Sequence, residues 1–330
     1  MIDLKPVLPR YFGILEENKK PQYLKSKNIH VSFNKSESTD ILWEKHEHAL
    51  NKDNSVVKNP NQTLLDLKIE IARRIFNDCV FCERRCRVDR RKNVGFCRTK
   101  DSRIASEFLH MGEESVLIPS YTIFFSGCTF SCVFCQNWDI SQNICGLTVN
   151  PKTMADFIIK RKTEGAKNVN WVGGDPTSNI LYILQVLKEC NLNIAQTWNS
   201  NMYCSTETMK LLDGIIDLYL TDFKYGNDNC AKRLSGVDNY TEIVRRNHKI
   251  ASSNGDLIIR HLVLPNHIKC CSEPILDWIS KNVTKSAVNV MAQYHPEYKA
   301  YDYEDIARPL SGEEYLNVRN YAEKQNINLI

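Results

Sequence analysis

Three cysteines stand close together near the middle of the chain, at Cys128, Cys132 and Cys135. Their spacing, C-x3-C-x2-C, allows three thiolates in one short loop to face a single point. Three protein ligands leave one iron of a four-iron cluster without a protein ligand, and a small molecule can chelate that iron. The alternatives are three cysteines buried in the core, or a zinc site that takes its fourth ligand from elsewhere.

We call Cys128, Cys132 and Cys135 the first cysteine group. A second cysteine group lies earlier in the chain, at Cys79, Cys82, Cys86 and Cys97. Four thiolates form a closed coordination shell, which suits structural zinc or a second four-iron cluster. The spacing does not choose between these metals, and chance clustering is the alternative. The remaining cysteines are scattered along the chain: Cys145, Cys190, Cys204, Cys230, Cys270 and Cys271.

The elements that must position these cysteines follow from hydrophobic periodicity. Short apolar runs predict strands at 122–125, 169–172, 193–197, 216–220, 257–264 and 287–291, and a segment of helical periodicity follows each run. Six strand–helix units in series predict parallel strands joined by right-handed crossovers. Functional residues are then expected in the loops after the carboxyl ends of the strands, which is where the first cysteine group lies.

The amino-terminal part of the chain differs in composition. Residues 1–60 are polar and predict an arm with a helical piece near 41–50. Apolar residues recur at helical spacing over 64–76 and predict a helix that leads into the second cysteine group. We therefore expect three regions: a polar arm at 1–60, a helix with a cysteine-rich metal-binding module at 61–118, and a barrel at 119–330.

The C-x3-C-x2-C spacing, with the aromatic Phe134 before the last cysteine, resembles the radical S-adenosylmethionine superfamily. The likeness extends from about Tyr121 to the carboxyl terminus and is strongest to the pyruvate formate-lyase activating enzyme-related group. It implies an α/β fold with a partial (β/α)6 TIM-like barrel and an N-terminal cysteine-rich extension. It also implies a [4Fe-4S] cluster on the first cysteine group, which reduces bound S-adenosylmethionine to a 5′-deoxyadenosyl radical that takes hydrogen from a substrate.

The resemblance also assigns cofactor contacts at later strand ends. Gly173, Gly174 and Asp175 follow the second predicted strand, where paired glycines allow a close backbone approach and a carboxylate could accept from the methionine ammonium. The family usually has Glu in place of Asp175, so the shorter side chain shifts that contact or requires a water. Asn199 and Ser200 are expected to bind the cofactor. The alternatives are an ordinary Gly-Gly turn and a helix cap.

Further candidates come from the remaining strand ends. Asp222 and Lys224 resemble a D-x-K pair of the activating enzymes and are expected to be catalytic, with a surface salt bridge as the alternative. Arg260 is also expected to be catalytic, through a contact with cofactor or substrate, and His261 is the alternative at that strand end. Gln293 is expected to bind the cofactor in preference to Tyr294.

Residues 71–103 form a strongly basic segment. They contain eleven Lys or Arg and four acidic residues, a net charge of +7 against −3 for the rest of the chain. Cations near a thiolate site offset its negative charge. The alternative is a docking surface for an acidic partner, either an electron donor such as flavodoxin or ferredoxin, or RNA. No RNA-binding motif accompanies the segment, so nucleic acid is not expected.

Composition limits the class of protein. The chain has 330 residues and a net charge of +4, which does not fit a polycation that coats nucleic acid. No apolar stretch approaches the roughly 18–20 residues of a membrane helix, and the first twenty residues lack an apolar signal core. Thirteen cysteines, an odd number, in a chain this long favour metal sites over disulfides. We expect a soluble, cytoplasmic protein without a membrane partner.

The sequence therefore predicts a radical enzyme with a [4Fe-4S] cluster, S-adenosylmethionine and a possible second metal site. The resemblance implies a glycyl radical enzyme as its substrate. One alternative is radical modification of RNA, lipid or a small metabolite. The other is a metal-binding interaction protein without catalysis, which is indicated only by Asp175 in place of the family's usual Glu.

Overall fold

An eight-stranded sheet organises the protein, which the computed structural model describes over residues 3–51 and 61–330. The strands lie in sequence order from β1 to β8, and β2 to β8 are mutually parallel. Residues 1, 2 and 52–60 of the expected arm lie outside the described residues. The strands are β1 (Ile104–His110), β2 (Ser120–Phe125), β3 (Asn168–Gly173), β4 (Ala195–Ser200), β5 (Leu218–Asp222), β6 (Asp256–Leu262), β7 (Ala287–Met291) and β8 (Asn328–Leu329).

Helices connect the parallel strands and cover the sheet. Those in the described ranges are α1 (Pro9–Leu15), α2 (Gln22–Ser26), α3 (Thr39–Asn51), α4 (Leu64–Asn77), α5 (Trp138–Ser141), α6 (Pro151–Thr163), α7 (Ile180–Glu189), α8 (Thr206–Leu212), α9 (Asp228–Ser235), α10 (Tyr240–Asn254), α11 (Glu273–Asn282) and α12 (Gly312–Lys324). A 3-10 turn spans Pro176–Asn179, and a π turn spans Ile268–Ser272.

The predicted fold class is confirmed. All six expected strands are present as β2 to β7, and a helix follows each of them. The antiparallel β1 and the two-residue β8 form the two edges of the sheet, so the barrel is open and partial. Sequence reasoning missed β1, β8, α5 and α9. The elements β8 and α5 are very short and α9 is strongly polar, whereas β1 lies at the sheet edge and its sequence shows no regular alternation.

Burial explains why these segments form strands. Every residue of β4 is buried, and so are most residues of β2 and β3. Parallel strands covered on both faces form continuous buried runs of this kind. On the outside, α7 packs against α4 and α6, and α4 begins at a capping box between Thr63 and Asp66.

Helix α1 packs beneath the amino-terminal end of the barrel. Leu8, Tyr11 and Ile14 are buried there in a separate apolar cluster with the first residues of β4, β5 and β7. The Tyr11 hydroxyl accepts a hydrogen bond from the Asn168 side chain at 3.1 Å. The polar amino-terminal segment thus supplies apolar residues that cover the barrel floor, opposite the end where the strands terminate.

Two buried carboxylates attach this segment to the barrel. Asp256 accepts from the backbone N–H of Tyr11 at 2.7 Å. Asp217 accepts from the N–H groups of Gln22 and Gln196, each at 2.9 Å. Burial raises the pKa of Asp217 to about 7, although these backbone donors favour its charged form.

The raised pKa of Asp217 predicts a pH-dependent stability. The folded protein holds this proton up to about pH 7, whereas the unfolded chain releases it near its ordinary value of 3.8. Folding free energy contributed by Asp217 therefore falls as the pH rises through this interval and is constant above it. We expect the unfolding free energy of wild type to fall relative to that of Asp217→Asn between pH 5 and pH 7.5 in denaturant unfolding. The exposed Asp302→Asn variant should show no such trend, and a pH-independent difference for Asp217→Asn would contradict the prediction.

Across the described residues, no helix combines the length and apolar character that a membrane span requires.

Candidate functional site

A cavity of about 500 Å³ opens at the carboxyl ends of the strands. Every residue predicted for the catalytic and cofactor site lines this cavity, and only the second cysteine group does not. The predicted residues that line it are Cys128, Cys132, Cys135, Gly173, Gly174, Asp175, Asn199, Ser200, Asp222, Lys224, Arg260 and Gln293. The volume is in the ordinary range for a small-molecule site.

The first cysteine group lies in the loop after β2, and its thiols face this cavity. The Phe130 N–H donates to Cys128 Sγ at 3.3 Å, and the Ser235 hydroxyl donates to Cys132 Sγ at 2.9 Å. The Cys135 thiol lies 3.2 Å from the Ser141 hydroxyl. Such donors favour the thiolate form that binds metal.

Burial acts in the opposite direction on these thiols. It raises the pKa of Cys128, and burial with the nearby charge of Cys135 raises the pKa of Cys132 to about 12. Three thiolates crowded at one buried point repel each other, so a positive charge must be supplied for all three to ionise. The donor set therefore fits a metal centre better than three inert core cysteines.

The end of β3 passes against the backbone of the cysteine loop. A Cβ on Gly173, whose φ is +122°, would lie 2.1 Å from the Phe125 nitrogen, and one on Gly174 would lie 2.1 Å from the Gly127 carbonyl oxygen. The Gly174 N–H donates to the Phe125 carbonyl at 2.7 Å. The glycines thus permit close approach to protein backbone, while both also line the cavity.

Asp175, at the end of β3, hydrogen-bonds to its own turn, to the end of β4 and to the cysteine loop. One carboxylate oxygen accepts from the Thr177 N–H at 2.9 Å, and the other accepts from the Ser200 hydroxyl at 2.9 Å and the Asn201 N–H at 3.1 Å. The Asp175 N–H donates to the Gly127 carbonyl at 3.0 Å. Asp175 as a whole residue is 2% exposed, and three acceptor positions of its carboxylate are already used by the protein.

Asn199 and Ser200 end β4 beside Asp175, and both line the cavity. They do not cap the next helix, because the hydroxyl that accepts at the start of α8 belongs to Ser205. Asn201, the next polar residue of this strand end, also lines the cavity. Its amide donates to Thr129 Oγ1 at 2.9 Å and lies 3.7 Å from Cys128 Sγ.

Asp222 and Lys224 form an ion pair at the cavity wall, with Lys224 Nζ 2.7 Å from Asp222 Oδ2. The side chains are only 28% and 18% exposed, so this is not an open surface pair. Burial lowers the pKa of Lys224, but the charges of Asp222 and Cys132 outweigh it and raise the pKa. The ammonium therefore stays charged beside the thiols.

Arg260 lies deeper, between two acidic residues of the β1–β2 connection. Its guanidinium contacts Glu113 and Glu114, and the Nε–Glu114 Oε1 distance is 2.8 Å. Asn289 and Asn170 donate to the same two carboxylates, at 2.9 and 3.0 Å respectively. Sequence reasoning missed both glutamates, because nothing in the chain's periodicity places this connection inside the barrel.

Gln293 lies at the exposed rim of the cavity, where its backbone carbonyl accepts from the Gln136 amide at 3.0 Å. Tyr294 is buried instead, and its hydroxyl donates to the Ile306 carbonyl at 2.5 Å.

The second cysteine group lies outside this cavity. Cys79, Cys82 and Cys97 are buried, and the charges of Cys97, Cys79 and Cys86 add to the burial that raises the pKa of Cys82. The Thr99 hydroxyl donates to Cys97 Sγ at 3.0 Å.

The cysteine-rich module around Cys79–Cys97 forms hydrogen bonds with two loops that border the cavity. The Ser205 N–H donates to the Phe81 carbonyl at 3.0 Å, and Arg90 donates to the Ser178 carbonyl at 2.6 Å. The loop after β4 and the turn after Asp175 are thus both held by the module.

Part of the basic segment is internally neutralised. Arg87 pairs with Asp78, Arg91 pairs with Asp89, and Arg85 pairs with Glu207 of α8. Arg90 is fully buried. These cations serve local structure, which leaves less of the segment for an acidic partner.

The close backbone approach predicts the effect of a single methyl group. Gly174→Ala places a Cβ against the Gly127 carbonyl, where backbone cannot yield cheaply. We expect a loss of about 1–3 kcal/mol in unfolding free energy and displacement of the cysteine loop. Gly312→Ala is the matched control, because a Cβ there meets nothing within 4 Å. Equal stabilities of the two variants in denaturant unfolding would contradict this.

Comparisons with known proteins agree with the geometry. The family model of the Radical SAM superfamily matches residues 122–279. An uncharacterized protein of Methanocaldococcus jannaschii is 49% identical over 336 residues, which cover 98% of this chain and 99% of that protein.

Two solved structures show weaker likeness. A domain of pyruvate-formate lyase-activating enzyme from Bacteroides vulgatus has 15% identity and a TM-score of 0.41, covering 50% of this chain and 98% of that one. Methylornithine synthase has 13% identity and a TM-score of 0.46, covering 97% and 78% respectively.

The matched region runs from β2 into α11 and contains the first cysteine group. A domain of this kind implies a [4Fe-4S] cluster and S-adenosylmethionine as cofactors. The chain belongs to the radical SAM superfamily.

Proposed function

We propose that this protein is a radical enzyme whose chemistry takes place in the cavity above β2 to β7. The observation that carries the proposal is the convergence of three thiols, Asp175 and the Asp222–Lys224 pair on one cavity of about 500 Å³. Cys128, Cys132 and Cys135 would hold the cluster. Gly173, Gly174, Asp175, Asn199, Ser200 and Gln293 would form the S-adenosylmethionine site.

The residues fit the implied cofactors. When bound, cluster and S-adenosylmethionine supply reductive cleavage of the sulfonium to a 5′-deoxyadenosyl radical that abstracts hydrogen. Lys224 places a positive charge beside the thiols, which offsets the negative charge of a thiolate-ligated cluster. Asp175 orients the end of β4 and keeps one acceptor position for a cationic ligand group.

An external reductant is required, since radical SAM enzymes need an electron. We propose an acidic electron carrier such as flavodoxin or ferredoxin as the donor. The exposed Lys92, Arg98 and Lys100 of the basic segment support this choice.

For the substrate we propose a glycyl radical enzyme, which would be activated by hydrogen abstraction from one glycine. The resemblance of the cysteine loop and of the D-x-K pair at Asp222 and Lys224 supports this activity.

One observation favours a second candidate, a small polar metabolite. Arg260, Glu113 and Glu114 form a buried group at the inner end of the cavity, with side chains at most 13% exposed. Two carboxylates against one guanidinium leave an excess negative charge, which suits a compact substrate that carries an ammonium or guanidinium group.

Replacing one cysteine tests the proposed chemistry. Anaerobically reconstituted wild type with dithionite and S-adenosylmethionine should release 5′-deoxyadenosine, and Cys132→Ala should release none above background. Iron absorbance of the first group should vanish in this variant, while metal at Cys79–Cys97 remains. The exposed Cys145→Ala serves as control and should retain full activity. Release by Cys132→Ala would overturn the proposal, and equal metal loss from both groups would mean that they form one site.

Isotope transfer distinguishes the two substrates. A candidate glycyl radical protein labelled with deuterium at glycine should pass deuterium into 5′-deoxyadenosine. Transfer from a deuterated small-molecule extract, and none from the protein, would favour the metabolite. In that case Arg260→Lys should reduce turnover of the metabolite more than uncoupled cleavage of S-adenosylmethionine.

A further inference from the structure

A cluster of four potential metal ligands lies outside the cavity, formed by Cys230, His267, Cys270 and Cys271. Their ligand atoms all lie within 4.8 Å of one another. In sequence the three cysteines are far from both cysteine groups and show no metal-binding spacing. The fold brings them together because α9 and the π turn Ile268–Ser272 follow the neighbouring strands β5 and β6.

The distances match the coordination shell of a single ion. His267 Nδ1 lies 3.6, 3.3 and 4.0 Å from the sulfurs of Cys230, Cys270 and Cys271. Cys270 Sγ lies 4.0 Å from Cys230 Sγ and 3.9 Å from Cys271 Sγ. A tetrahedral zinc with Zn–S near 2.3 Å and Zn–N near 2.0 Å requires edges of roughly 3.8 Å between sulfurs and roughly 3.5 Å from nitrogen to sulfur.

The surrounding residues orient these ligands. Asp305 Oδ2 lies 2.9 Å from His267 Nε2, so a proton on Nε2 leaves Nδ1 free to bind a metal. A carboxylate on the far nitrogen is the usual partner of a metal-bound histidine. The Asn227 amide lies 3.3 Å from Cys230 Sγ and 3.8 Å from Cys271 Sγ, where it can donate to thiolates.

We propose that Cys230, His267, Cys270 and Cys271 bind one structural zinc ion. Three sulfurs and one nitrogen fill a tetrahedral shell, which leaves no position for substrate or water. A four-iron cluster would need its ligand sulfurs spread around a larger core, whereas the sulfurs here lie about as close as ligands of one ion do.

The position of the site suggests a structural role for the bound ion. It would tie the first turn of α9 to the π turn after β6. The last turn of α9 holds the cysteine loop of the cavity, since the N–H groups of Ser131 and Val133 donate to the carbonyls of Ser235 and Leu234 at 3.1 and 2.9 Å. The ion would thus stiffen the helix against which the first cysteine group rests.

Counting zinc tests the proposal directly. The full chain is freed of metal, then titrated anaerobically with Zn²⁺ against a chromophoric chelator. We expect Cys270→Ser to bind one equivalent fewer than wild type, and Cys145→Ser, the matched control at another exposed cysteine, to bind as wild type does. Equal zinc binding by the two variants would overturn the proposal.

A disulfide is the competing chemistry for these thiols. Free thiols counted in denatured, anaerobically purified protein should include all three cysteines once zinc is removed. A disulfide among Cys230, Cys270 and Cys271 in that sample would overturn the proposal. Zinc K-edge absorption of wild type and of Cys270→Ser should differ by the signal of one zinc ion bound to three sulfurs and one nitrogen. Any other coordination shell for that ion would also refute the proposal.

Asp305 is assigned as a positioning residue by the same geometry. Asp305→Asn should weaken zinc binding at this site by about 10–100-fold, because the amide orients the imidazole less strongly. Asp302→Asn removes the same charge from the neighbouring turn without touching His267 and should leave zinc affinity unchanged. If both variants bind zinc as wild type does, Asp305 has no positioning role.

Discussion

The carboxylate of Asp175 and the backbone beside it join three strand ends into one surface. Its oxygens accept from the loop after β4 and from its own turn, while its N–H reaches the cysteine loop after β2. The approach of this turn to the cysteine loop requires that Gly173 and Gly174 lack a Cβ. A glutamate here would carry an extra methylene into a space already filled by protein donors. The shorter side chain is therefore matched to these protein partners.

Charge is divided along the cavity. The ammonium of Lys224 lies at the end occupied by the thiols, and the carboxylates of Glu113 and Glu114 lie with Arg260 at the other. In a buried site such separated charges act strongly, because little water screens them. The cysteine end thus favours an anionic centre, and the inner end favours a polar or cationic group. This division connects the proposed cofactor site to the proposed substrate site.

Loops at the carboxyl ends of strands carry function, but they have few contacts of their own. Here the cysteine-rich module braces the turn after β3 and the loop after β4, and α9 braces the cysteine loop. Both supports contain clustered thiols. Metal coordination at such places would add rigidity that apolar packing at a solvent-exposed rim cannot supply. At the opposite end, α1 covers the floor, so the barrel is stabilised from both sides.

Much of this protein could be predicted from its sequence. Strand and helix positions follow from apolar periodicity, because parallel strands buried on both faces leave continuous apolar runs. The residues at their ends could be placed near one another, because carboxyl ends of parallel strands meet at one edge. Local spacing also identified both cysteine groups. What only the tertiary structure decided are contacts between segments distant in the chain. Glu113 and Glu114 reach Arg260 across 146 or more residues, and Cys230 meets His267 and Cys270 because β5 and β6 are neighbours. Such long-range contacts depend on the order of the strands and on the path of the loops. Apolar periodicity along the chain does not encode either of these, so the contacts could not be predicted from it.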